Sequence, residues 1–220
     1  MKIAYKIGTA LLALAIFPVM IFAPFVKLIV TTDIASFLSS ETQVLIDESY
    51  SLKSLYELYA ANKDMLADSG FSLSSIPENV VHALRIPAIA FLVLFALAIL
   101  CAVLIVFFGL FAKNKRVPVV LAILGAASCF GMNIAFNNFA KPLINGTITI
   151  TDILGQEFVS KISGGMATLG EALMSLFGAG SQLLNVKLFC LGGAYVFMIL
   201  LFVAVILWAV AYTFMEWDKQ

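Results

Sequence analysis

Apolar residues in this chain gather into four long blocks separated by polar stretches. The blocks cover residues 7–30, 86–112, 117–139 and 188–215. About 20 apolar residues suffice for one helical crossing of a bilayer, so each block predicts a transmembrane helix. The second and fourth contain no charged residue at all. The first follows Lys2 and Lys6 and has the charge pattern of a signal peptide. It is longer than the roughly 7–15 apolar residues of such a leader, and Pro18, Phe22, Pro24 and Phe25 suit a small-x-small cleavage site poorly. It therefore reads as an uncleaved helix, kinked at Pro18 or Pro24.

Polar residues punctuate the blocks in ways that fix their order in space. In Ser75-Ile76-Pro77-Glu78, Ser75 suits a cap, Pro77 a first turn and Glu78 the return bond to the cap amide. The second helix thus starts outside the bilayer and enters it near Ile86. Lys113-Asn114-Lys115-Arg116 is a tight basic link, so the second and third spans are antiparallel neighbours. Lys141-Pro142 is expected to end the third span, and Asn145-Gly146 to form a turn. Lys2, Lys6, Lys113, Lys115, Arg116 and Lys219 crowd into short flanks on one side. The other side carries its basic residues spread over two long segments. By the positive-inside rule the dense side faces the cytoplasm, which places both ends inside and the chain in the plasma (cytoplasmic) membrane.

The outer segments, residues 31–85 and 140–187, predict further helices. The first is acidic, and its Leu45, Leu52, Leu55, Tyr56 and Tyr59 recur at helical spacing, with Ser40 and Gln43 marking a start. In the second, Ile162, Met166, Leu169, Leu173 and Phe177 form an apolar stripe with steps of three or four. A helix lying on the membrane surface would carry basic residues on its polar face, and Lys161 is nearly alone there. The two helices are expected to pack on each other as a cap. Thr32-Asp33-Ile34 after the first span is echoed by Thr151-Asp152-Ile153 after the third. The expected fold is thus all-α: a four-helix transmembrane bundle with an extracytoplasmic helical cap, in one domain of two parallel-repeat halves.

Composition sharpens this picture. The 220 residues are 62% hydrophobic and 12% charged, against about 25% charged in soluble domains. A formal net charge of zero gives no reason to expect a nucleic-acid partner. Cys101, Cys129 and Cys190 all lie in apolar blocks, so no disulfide framework is expected in the loops. Cys101 and Cys129 share a depth, but no Cys-x-x-Cys occurs and no cation activates either thiol.

Candidate chemistry is sparse. In the third span Gly125, Cys129, Asn133 and Asn137 recur every four residues and form a polar face. That face is either a packing seam of small and amide residues or one wall of a cavity. The seam is the preferred reading, because no Asp, Glu, Lys, Arg or His lies mid-span to mark a transport path. His82 is the only histidine, with Glu78 one turn before it; a metal site would lack further ligands, and a Ser-His-Asp reading would rest wholly on His82 without a motif around any serine. No cofactor is expected, and no catalytic constellation is found. Asn145-Gly146-Thr147 fits both a glycosylation acceptor and a turn, and the turn is preferred.

The order of spans and outer segments resembles tetraspanins and claudins as a topology. The double-cysteine-glycine motif of the one and the loop tryptophan and cysteines of the other are absent; the only tryptophans are Trp208 and Trp217. The resulting expectation is a membrane scaffold or accessory subunit. It would engage membrane lipid and a membrane-protein partner, or a second copy, through its outer helices. The alternative is a carrier, channel or apolar-ligand binder using the third-span face.

Overall fold

The computed structural model describes residues 2–32, 43–68, 77–111, 116–148 and 184–217. In chain order the elements are α1 (Lys2–Leu14), α2 (Ile16–Phe22), β1 (Val26–Thr32), β2 (Gln43–Tyr50), α3 (Leu52–Asp68), α4 (Glu78–Phe111), α5 (Arg116–Ile144), β3 (Leu184–Leu191) and α6 (Gly193–Trp217). Four helical stretches are long and apolar enough to cross a membrane: Ile3–Phe22, Glu78–Phe111, Arg116–Ile144 and Gly193–Met215. By this criterion the chain is a multi-pass membrane protein.

The all-α expectation is corrected by a three-stranded sheet of order β2-β1-β3. Two strands are cut from blocks expected to be wholly membrane helix. In residues 7–30 the helix stops at Phe22. Ala23, held extended (φ −74°, ψ 154°) ahead of Pro24, breaks it because the proline ring disfavours the helical region for its predecessor. The β-branched run Val26, Ile29, Val30, Thr31 and Thr32 then forms β1. In residues 188–215 the strand β3 persists to Leu191, and the helix begins only at Gly193. Pro18 acts earlier: its missing N–H and its ring disturb the carbonyl of Leu14, and the helix is interrupted at Ala15 between α1 and α2.

Two further boundaries differ from expectation. Lys141-Pro142 does not end α5, which runs on to Ile144. The loss of one hydrogen bond in a last turn is tolerated, and Gly146 (φ 67°) closes the turn in the left-handed region. The Asn145-Gly146 turn is thus present. The helix expected from Ser40 is instead β2, with Leu45 as the extra residue where the register shifts between Val30↔Ile46 and Thr31↔Val44. Helix α3 starts only after Ser51. There the Ser51 amide donates to the Ser54 hydroxyl (2.7 Å), and the Ser54 amide to the Ser51 hydroxyl (3.0 Å). This reciprocal cap carries the start signal that Ser40 lacks.

The chain forms two compact units. The first comprises residues 1–25, 89–136 and 191–220, the second residues 26–88 and 137–190. The first is a bundle in which Ala13, Ile16, Ala98, Cys101, Ala102, Ile105, Ala122, Cys129, Met198, Phe202 and Val205 make one buried core drawn from all four spans. Its outward surface is equally apolar, as at Ile3, Leu11, Leu92, Val103, Ile123, Leu200 and Leu207. A helix hydrophobic on every side is a membrane element, because in water its outer face would have no cover. The start of the first span and the end of the last meet at one end of this bundle. The Tyr5 and Tyr212 rings are 5.0 Å apart. At the same end the Lys6 ammonium donates to the Leu110 carbonyl (2.9 Å), meeting the last turn of α4 where cations are favoured.

The second unit holds the sheet, α3 and the adjoining ends of α4 and α5. β1 and β2 are antiparallel, with Lys27 facing Asp47 diagonally across the pair at 3.2 Å. Phe139 near the end of α5 lies 6.3 Å from Phe189 on β3. The segment expected to repeat α3 in the second half, residues 149–183, lies outside the described residues.

Candidate functional site

The row Gly125, Cys129, Asn133 and Asn137 lies on α5, and the structure separates its members. Four residues turn an α-helix by slightly more than one revolution, so each step advances about 40° around the axis. Gly125 and Cys129 therefore sit in the core, Asn133 is half-buried at its edge, and Asn137 is exposed. The row starts as a seam and drifts out of the bundle.

At its inner end the seam is filled. A side chain at Gly125 would overlap the Phe202 ring of α6, so the glycine is what admits that ring. The same device recurs on α1, where any Cβ at Gly8 would lie 2.6 Å from the Trp208 indole. Trp208 then donates its Nε1–H to the Tyr5 carbonyl (3.3 Å). Helices in lipid associate through close packing, and a glycine opposite an aromatic ring supplies it. Cys101 and Cys129 are both buried free thiols of this core.

Two hydroxyls within the bundle are satisfied by their own helix, whereas that of the fully buried Thr9 finds no hydrogen-bond partner. Ser128 donates to the Leu124 carbonyl and Thr213 to the Ala209 carbonyl, each at 2.8 Å. Asn133 was expected to bond a neighbouring helix; among the described residues no hydrogen bond is made by its amide. A carboxamide has two donors and an acceptor, so a single bond to its own backbone would still leave it partly unsatisfied. Its neighbours on the outer face are Phe130 and Ile134, 59% and 62% exposed.

In the second unit the notable surface is on α3. Leu52 and Leu55 are half-buried, whereas Tyr56, Leu58 and Tyr59 are 69%, 54% and 60% exposed. Positions 56 and 59 are neighbours on one helix face. Lys53 pairs with Glu57 along the same helix (3.6 Å). At the base of α3, the Tyr50 hydroxyl donates to Glu48. That bond, with burial and the negative charge of Glu48 added, raises the phenol pKa above its ordinary value. His82 pairs with Glu78 one turn earlier (3.8 Å), and both are exposed. No group of three or more potential metal ligands occurs among the described residues.

The stripe Ile162, Met166, Leu169, Leu173 and Phe177 lies outside the described residues, and so do Ser75 and both Thr-Asp-Ile triplets apart from Thr32. The helical spacing of Tyr56 and Tyr59 was legible in the sequence, but it suggested an inward stripe. The signal for their exposure was the short burial-competent set beside them, Leu52 and Leu55 alone. No family model, curated protein or solved structure matches the chain.

Proposed function

We propose that this multi-pass membrane protein is a non-enzymatic scaffold or accessory subunit. Its second unit would face away from the cytoplasm and engage a membrane-protein partner. The observation that carries the reading is the exposed pair Tyr56 and Tyr59 on one face of α3. Large apolar and aromatic side chains grouped outside the membrane spans mark a surface that another protein covers. The filled seam at Gly125 and Phe202 favours a bundle that holds its shape over one that opens a path. The carrier or apolar-ligand alternative keeps one supporting feature, the unbonded amide of Asn133.

Orientation rests on the crowding of Lys2, Lys6, Lys113, Lys115, Arg116 and Lys219 around one set of helix ends. A cysteine at position 50 is expected to react with an impermeant reagent in intact cells, and one at position 115 only after permeabilisation. Reaction at 115 in intact cells reverses the assignment.

The partner surface is tested by a photo-crosslinking residue placed at position 56 in native membrane, with position 97 on the lipid-facing side of α4 as control. A single protein adduct at 56, absent at 97 and lost in Tyr59→Ser, supports the scaffold. Lipid adducts alone at both positions remove it.

A further inference from the structure

We draw no further inference here: the strongest candidate, the exposed face of α3 that carries Tyr56 and Tyr59, belongs to the surface already described, and nothing in the structure shows what covers it.

Discussion

The two units are held together by different physics. In the sheet-bearing unit, polar groups do much of the specifying. Lys27 meets Asp47 across the strands, Lys53 meets Glu57 along α3, and Ser51 and Ser54 cap each other. Both of these lysine–carboxylate pairs belong to this unit. In the bundle the specifying contacts are of shape: Phe202 against Gly125, Trp208 against Gly8, and Pro24 against Gly192. The difference follows from the solvent. Water rewards burial of any apolar face and tolerates exposed charge, so a sheet needs polar pairs to set its register. Lipid is as apolar as leucine, so helices gain by associating only where they fit more closely than they fit lipid.

If shape governs the bundle, its glycines should be its most sensitive positions. The largest effect is expected at Gly192, where a Cβ would overlap the Pro24 carbonyl oxygen, a backbone atom that cannot swing aside. The Gly192 amide also donates to the Phe25 carbonyl (2.9 Å), and the Ala194 amide to the Pro24 carbonyl (2.8 Å). Gly192→Ala should therefore cost about 3 kcal/mol through overpacking and the strained bonds together. Loss of the thermal transition in neutral micelles, or a large fall in its midpoint, checks this. A shift equal to that of a surface substitution would mean the junction yields more easily than its geometry implies.

Next comes Gly125→Val, expected to cost about 2 kcal/mol because the obstacle is a ring that can partly move. Combining it with Phe202→Leu should recover part of the loss, and the double variant should be more stable than Gly125→Val alone. Strict additivity of the two changes would show that the residues do not share the packing described.

Asn133→Leu separates two readings of one residue. An interhelical hydrogen bond within the bundle, as the sequence led one to expect, would lower monomer stability by about 0.6 kcal/mol. The structure gives the amide no such bond, so the melting temperature of the dilute protein should be unchanged or slightly raised. A clear fall would place a bond there after all.

The smallest effect belongs to the sheet unit. Hydrogen bonding to Glu48, followed by burial and the Glu48 charge, holds the Tyr50 pKa above its ordinary value of 10.0. The folded-state value is the raised one. The associated stability is therefore complete below the unfolded value and is lost as pH climbs through the folded value. Ultraviolet titration should show Tyr50 ionising above the ordinary tyrosine value, and Glu48→Gln should bring it back towards that value. A Tyr50 curve that Glu48→Gln leaves in place would assign the shift to burial alone.

By itself, the sequence determined the elements whose signals are long and local. The uncharged runs 86–112 and 188–215 read as spans because nothing but a membrane helix accommodates so many consecutive apolar residues. The Asn145-Gly146 turn was equally legible, since only a flexible residue suits the positive φ at Gly146. The strands were not. Val26 to Thr32 has no clear alternation, whereas Leu184, Val186 and Leu188 alternate with Asn185 and Lys187, a strand signal that the long apolar block beside it outweighed. What made them strands was pairing: β1 lies between β2, its neighbour in sequence, and β3, drawn from a distant part of the chain. The third-span row shows the same limit. A spacing of four placed Gly125, Cys129, Asn133 and Asn137 near one another. Only the packed helices decided which of them face Phe202 and which face outward, because a drift of about 40° per step acquires meaning only against a neighbour.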